Sequence, residues 1–435
     1  MVKMQAKTII EHECVKFPDM EFPQYDEKLK DGFCLNPSAA QFDRRYFLQF
    51  NPLDNTPGYA ASYVVGAQWV ETEACGKLPI AVLPKIPNVD YLEMFMQCFN
   101  NPDEYESFHK IYDIDFESET MECETLESIL SPLLIVQYVN IVQQLLHKGL
   151  RKSYVPKSEN LYKVRGRIAM SVNLKINTLK GRQHKIFCKY QEYTNDTIEN
   201  RIIKRALNVS KDIVGRLRSS SVAKLDTIIN ACLSKMSDVS DCVSLSELKQ
   251  VKYNVIYRDY KEVVNMAKYI LKRYDYNMSE EKGRTNANIP PFWIDMPLLF
   301  EHYIGGILAI SYPDDIIYQA KGKTGYPDFL SKTTQAILDT KYMPQLDEKD
   351  PETDIIRQLS GYSRDCEILD LLGADYKTII PCAFIYPDAK STENGNTVFS
   401  HPLTELLSPG SVYAVNKLTD FYRIGVGLPK TYTIE

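Results

Sequence analysis

The sequence predicts a multidomain α+β protein: a β-rich N-terminal domain over residues 1–125, a helical middle region over 126–289 and a C-terminal α/β domain over 290–435. Three observations predict it. Short β-like runs separated by Gly and Pro fill the first segment, apolar residues at helical spacing take over near Leu126, and two short strands follow an apolar helix in the last segment. A chain of 435 residues can bury substantial cores and has room for about three domains.

In the first segment, Ala61 to Val70 and Leu78 to Leu83 read as strands. Leu126, Ile129, Leu130, Leu133, Leu134, Tyr138 and Ile141 then recur at helical spacing, continuing to Leu145 and Leu146. A long hairpin is expected over 162–190, with Tyr162 to Asn173 as one arm, a turn at Lys180-Gly181-Arg182 and His184 to Tyr190 as the return. Asp196-Thr197-Ile198-Glu199 opens a helix in the manner of a capping box, with Ile198, Ile202, Ile203, Leu207 and Ile213 as its apolar positions. Further helices are expected over roughly Leu225 to Met236 and Leu245 to Tyr274, with a break at Ser219-Ser220-Ser221. Beyond Pro290-Pro291 a helix opens at Pro297, burying Leu299, Phe300, Tyr303, Ile304 and Ile307 and carrying Glu301.

Met1 to Lys7 lead into polar sequence, so no signal peptide is expected, and the greasy segments Leu133 to Leu146 and Leu298 to Ile310 read as buried helices rather than membrane spans. Ten cysteines without a C-x-x-C pair and six histidines indicate neither a zinc site nor a disulfide framework. Reduced thiols in a cytoplasm are the expectation, with Cys188 and His184 structural. The net charge of −6 conceals segregation: Asp103 to Glu127 is acidic, whereas Arg151 to Lys189 carries Lys152, Lys157, Lys163, Arg165, Arg167, Lys175, Lys180, Arg182, Lys185 and Lys189 against Glu159. Such a basic segment suits phosphates or an acidic protein partner.

The chemistry concentrates in Tyr326-Pro327-Asp328-Phe329-Leu330 and Gln335 to Tyr342. Read as adjacent strands, they place Asp339 and Lys341 on one face, Thr340 and Tyr342 on the other, and Asp328 beside them. Two carboxylates next to an ammonium suit a divalent cation such as magnesium and a phosphodiester, with Lys341 orienting a water or neutralising developing charge. Ile337 and Leu338 run into Asp339 from an apolar core, where unpaired charge is costly; the bland alternative is an ion pair on a strand. Asp350 and Pro351 open a helix carrying Ile355, Ile356, Leu359 and Leu369 to Leu372. Its Gln358 and Tyr362, spaced i, i+4, are either a polar edge beside the core or donors that position ligands or a phosphate. Glu301 is either a third carboxylate of the site or a helix-surface residue.

The order of Phe300-Glu301, Pro327-Asp328, Asp339-Thr340-Lys341 and Gln358-x-x-x-Tyr362 resembles the PD-(D/E)xK nuclease superfamily. Nearly the whole chain is similar to the McrC family, the nuclease subunits of McrBC-type GTP-dependent restriction systems. Leu78 to Pro87, Val164-Arg165-Gly166-Arg167-Ile168 and Asn195 to Leu207 carry that closer likeness. The resemblance implies a C-terminal nuclease core with a central mixed sheet flanked by helices. In it Asp328, Asp339 and the Thr340 carbonyl hold Mg2+, Lys341 stabilises the transition state, and Glu301, Gln358 and Tyr362 support the site. It further implies double-stranded DNA, modified or not, as substrate, and a hexameric McrB-like AAA+ GTPase as partner. Arg165, Arg167, Lys180 and Arg182 would bind that partner, the hairpin entering its central pore.

The same hairpin also reads as a solvated arm, or as a DNA element in which Tyr162, Phe187 and Tyr190 interleave with the charges. This chain is not expected to bind GTP itself. Gly322-Lys323-Thr324 matches the end of a phosphate-binding loop, but Ile317 stands where the first glycine is required. Two other classes remain: a stand-alone repair or recombination nuclease, and a non-cutting regulator of an AAA+ ring.

Overall fold

Strands far apart in the sequence meet in one sheet. The computed structural model describes residues 6–15, 47–51, 58–72, 76–100, 110–116, 118–217, 219–244, 258–275, 288–343, 353–391 and 393–431. The chain divides into two compact units, one of Met1–Leu133, Arg218–Ser221 and Thr285–Glu435, the other of Leu134–Leu217 and Val222–Arg284. The first unit holds a five-stranded sheet in the order Lys7–Ile10, Gly76–Leu83, Val64–Thr72, Phe292–Asp295, Tyr112–Ile114. Phe292–Asp295 pairs antiparallel with both of its neighbours, so a strand from beyond residue 290 is built into the sheet of the first 125. Ile9, Val64, Val70, Ile80, Val82 and Trp293 pack with Phe47 and Leu48 in its core.

That strand runs directly into the helix Met296–Ser311. Asp295 caps it, accepting the Leu298 N–H at 3.0 Å, and Pro297 occupies the first turn. Its sequence is apolar nearly all round, and the helix is correspondingly buried, Glu301 included. It contacts the second five-stranded sheet, ordered Ile316–Tyr318, Phe329–Ser331, Ala336–Thr340, Cys382–Pro387, Phe421–Val426. The first three of these strands are antiparallel and the last three parallel, making a mixed sheet. Ala336, Ile337 and Leu338 are wholly buried, as a central strand covered on both faces must be. Ile355, Leu359 and Tyr362 cover one face together with Ile368, Leu369 and Leu372.

The apolar residues expected on one helix after Pro351 lie on two. Thr353–Tyr362 ends before Asp365, whose carboxylate caps a new helix, Cys366–Leu372, by accepting the Glu367 N–H. Asp350 and Pro351 themselves lie outside the described residues, as do 245–257 of the expected Leu245 to Tyr274 helix; Arg258–Ile270 and a π-helical turn, Leu271–Asp275, account for its remainder.

One buried acid in the first unit has a measurable consequence. Glu11 is fully buried, and its Oε1 accepts the Lys85 N–H at 2.8 Å and the Tyr342 hydroxyl at 2.9 Å. Burial, only partly opposed by these donors, pushes its carboxyl from 4.5 up to about 7. The folded state therefore favours the protonated acid. Between pH 4.5 and about 7 the unfolded chain ionises this group and the folded chain resists, so stability falls as pH rises and levels off above 7. Glu11→Gln removes this dependence, worth about 3 kcal/mol, and thermal melts from pH 5 to pH 8 should decline less steeply for the variant.

In the second unit, the Asn-Arg-Ile-Ile-Lys segment is a clamp. Thr197 caps Ile198–Val214 through the Asn200 N–H, while Asp196 turns to Arg201 with contacts of 2.7 and 2.5 Å. Asn200 ties the Arg151 and Asn195 carbonyls to the Tyr260 hydroxyl, Lys204 donates to the Met236 and Val239 carbonyls, and Arg205 pairs with Asp275. Among the described residues one helix, Glu124–Lys148, is long and apolar enough to cross a membrane; 72% of its most apolar stretch is buried within the fold, as in a core helix.

The expected hairpin is present with different arms. Ser153–Leu161, not Tyr162 to Asn173, pairs along its whole length with Ile186–Thr194. Arg167–Ile168 forms a short third strand on the other edge, and between the strands lie the helix Met170–Ile176 and a 3-10 turn, Thr178–Lys180. Side-chain chemistry explains the difference: the buried Asn177 exchanges amide hydrogen bonds with Asn160 and donates to Asn173, which also accepts the Phe187 N–H. These asparagines satisfy one another and lock a helical crossing where an extended arm was expected.

Candidate active site

Phe329 lies opposite Leu338 in the antiparallel pair, which sets Asp328 beside Asp339. Asp328 Oδ2 accepts the Thr340 N–H at 2.6 Å and the Thr340 hydroxyl at 2.5 Å. Asp339 is buried, and Lys341 Nζ rests against its Oδ2. The lysine stands just past the last strand residue, yet its N–H still donates to Ile385 O at 2.8 Å, so the alternation that aims Asp339 and Lys341 the same way persists. Thr340 departs from the expected pattern in that its hydroxyl reaches Asp328, fixing the rotamer of that carboxylate.

Two carboxyls, Asp339 buried and Asp328 half-buried, share the half-buried ammonium of Lys341. Desolvation raises Asp328 well above the carboxylate range, with Asp339 and Glu301 adding repulsion and Lys341 and Thr340 opposing it. Desolvation also raises Asp339, against the Lys341 charge and the Asp328 N–H. Burial pulls Lys341 down, but the two carboxylates more than offset this and its net shift is upward. The site is thus short of positive charge.

Glu301 is buried beside this pair. Its Oε1 accepts the Tyr318 hydroxyl at 3.0 Å and Gln319 Nε2 at 2.8 Å. Neighbouring His302 is pulled down to about 4 by burial and is neutral at physiological pH. On the covering helix, Gln358 Nε2 donates to the Tyr362 hydroxyl at 2.8 Å. Burial raises that phenol, the Gln358 bond opposes the rise, and the charges of Asp339, Lys341 and Asp328 also act on it.

The loop entering Asp328 was passed over by sequence reasoning except as a failed phosphate loop. In the structure the donors of this loop are turned to a carboxylate of the chain itself. Asp365 Oδ2 accepts the Thr324 N–H at 2.7 Å and the Thr324 hydroxyl at 2.9 Å. Gly325 sits at φ +141°, and a Cβ there would come within 3.1–3.2 Å of the Tyr362 ring and hydroxyl. The tell-tale signals are the Gly-Lys-Thr-Gly turn and an aspartate three residues before Ile368-Leu369.

Among the described residues no three His, Cys, Asp or Glu side chains gather as for a metal. Magnesium does not require three, because it keeps several waters and takes one or two carboxylates. Asp328 and Asp339 fit it: both are hard oxygen donors, they repel each other, and the single Lys341 ammonium at Asp339 Oδ2 leaves the pair short of positive charge.

The second group of candidates lies on the three-stranded sheet. Arg165 is occupied internally, with Nη2 at 3.1 Å from Glu192 and its guanidinium 4.1 Å from the centre of the Tyr190 ring. Arg167, Lys180 and Arg182 are exposed, as are Tyr162, Val164, Met170, Leu174 and Leu179. Gly166 makes the Arg-Gly-Arg turn possible: its φ is +69°, and a Cβ would stand 2.6 Å from Lys189 O and 2.7 Å from Tyr190 Cβ. Gly166→Ala should strip Arg167–Ile168 from the sheet at a cost of about 1–3 kcal/mol. Hydrogen exchange should accelerate over Ile186–Thr194 and stay unchanged over Phe329–Thr340.

A family model described as McrBC 5-methylcytosine restriction system component matches residues 64–362. A refined half-complex from a tetradecameric assembly of Thermococcus gammatolerans McrB AAA+ hexamers with bound McrC is similar at 16% identity, covering 99% of this chain and 97% of that one, with a TM-score of 0.38. The cryo-EM structure of the Thermococcus gammatolerans McrBC complex is similar at 13% identity, covering 71% of this chain and 88% of that one, with a TM-score of 0.30. No curated protein matches.

Proposed function

The chain belongs to the McrBC 5-methylcytosine restriction system component family, and from that premise we propose that it is the DNA-cutting subunit, working with an AAA+ GTPase. The observation that carries the proposal is the cluster of the buried Asp339 with the half-buried Asp328 and Lys341 at the end of a central strand. Two repelling carboxyls and an ammonium are costly to bury and serve no packing purpose. The mixed sheet with helices on it is then a PD-(D/E)xK core.

In this reading Asp328 and Asp339, with the Thr340 carbonyl, would hold Mg2+, which would supply Lewis-acid chemistry to the phosphodiester. Thr340 holds Asp328 in place through its N–H and hydroxyl. Lys341 carries a fixed positive charge toward the phosphoryl oxygens as they gain negative charge. Gln358 orients the Tyr362 hydroxyl beside the pair, and Glu301 sets the local field while bridging Tyr318 and Gln319. GTP belongs to the partner. The exposed Arg167, Lys180 and Arg182 face that GTPase, and the partner, rather than this subunit, reads the DNA and any modification on it.

The test is co-expression with a neighbouring AAA+ GTPase gene, followed by cleavage of modified and unmodified plasmid. Cutting that requires this chain, the partner, Mg2+ and GTP is the expected result. Cutting with Mg2+ alone would instead identify a stand-alone nuclease, and GTPase stimulation without cutting would identify a regulator.

A further inference from the structure

The strand that carries Asp339 ends at its lysine. Lys341 N–H makes the last ladder bond, to Ile385 O, and the next backbone bond among the described residues is a local one from Met343 N–H to Lys341 O. A strand end with so little backbone pairing frays unless a side chain holds it. The side chain in position to do so is Tyr342, which is buried and points away from the carboxylate pair.

Tyr342 is wedged between elements that matter to the site. Its ring lies 6.0 Å from Phe300, the neighbour of Glu301, and meets Tyr63 edge-on at 6.0 Å. Its hydroxyl donates to Glu11 Oε1, 331 residues away in sequence. The Glu11 carboxyl is anchored in turn by the Lys85 N–H, while its Oε2 has no hydrogen-bond partner among the described residues. A buried, half-satisfied acid works against stability, and a glutamine would fill the same space without the charge. Such groups cluster where function requires them.

We infer that Glu11 is a positioning residue for Lys341: through the Tyr342 hydroxyl it fixes the end of the strand, and with it the approach of the lysine to Asp339 and Asp328. The inference rests on the nuclease reading for its significance, and it makes the N-terminal sheet part of the catalytic apparatus rather than a separate module.

Full-length wild type, Glu11→Leu, which removes the acceptor, Tyr342→Phe, which removes the donor, and the double variant are compared by two measurements. The first is competitive acetylation read by mass spectrometry. Lys341 should label at least about threefold faster in each variant, with Lys332 unchanged as a control for general unfolding. The second is single-turnover cleavage by the complex at saturating DNA. Each single change should lower the rate about tenfold without weakening DNA binding, and the double should be no worse than the weaker single, because both remove one link. Unchanged Lys341 labelling overturns the inference, as do rate effects that multiply. Because labelling does not depend on cutting, a wild-type chain that fails to cut would sink the nuclease reading while this inference is still decided.

Discussion

Asp339→Asn in the assembled complex lowers the single-turnover cleavage rate about a thousandfold, while stimulation of the partner GTPase is unchanged. Lys341→Ala has a cleavage defect of similar size. Their effects on stability should differ in kind. Asparagine relieves a buried charge that burial disfavours, so the melting temperature of the Asp339 variant holds or rises. Removing Lys341 leaves Asp339 and Asp328 without their shared cation, so the fold loses stability as well as activity. Calorimetric Mn2+ binding separates the roles further: Asp339→Asn loses the metal, whereas Lys341→Ala keeps it. Cleavage within tenfold of wild type for either variant removes that residue from the mechanism.

The part of this site that could be read in advance is the part governed by local periodicity. A period of two along Ala336–Thr340 is enough to align Asp339 with Lys341, and the antiparallel partner then brings in Asp328. Pro297 similarly marks the helix that carries Glu301, and Asp196-Thr197 the start of Ile198–Val214. What could not be read depends on residues distant in sequence or on chemistry that overrides propensity. Phe292–Asp295 joins the first sheet only because Val64–Thr72 and Tyr112–Ile114 leave a place between them. The tie from Glu11 to Tyr342 has no local signature at all. Asp365 breaks the expected single helix because its carboxylate serves both Thr324 and the Glu367 N–H, and the asparagine cluster at 160, 173 and 177 replaces a simple arm with a helix crossing.

Arg167→Ala reduces stimulation of the partner GTPase about tenfold, roughly 1.4 kcal/mol of coupling, without lowering the intrinsic cleavage chemistry. The paired arginines of the Arg-Gly-Arg turn are unequal. Arg165 already spends its guanidinium on Glu192 and the Tyr190 ring, so its removal acts by loosening the sheet, and Arg165→Lys restores only part of the loss because an ammonium cannot both stack and fork. Arg167 is exposed with no recorded partner among the described residues, which leaves its donors for a second molecule. Adding Lys180→Ala and Arg182→Ala should deepen the defect, since both are exposed cations on the segment that links Arg167–Ile168 to Ile186–Thr194. The rival reading makes an opposite forecast: if this surface grips DNA, the triple variant loses DNA affinity with a shallower salt dependence, and GTPase stimulation in the absence of DNA is untouched. The exposed Val164, Met170, Leu174 and Leu179 favour the protein partner, because apolar side chains gain nothing from a phosphate backbone and gain burial in a protein cleft.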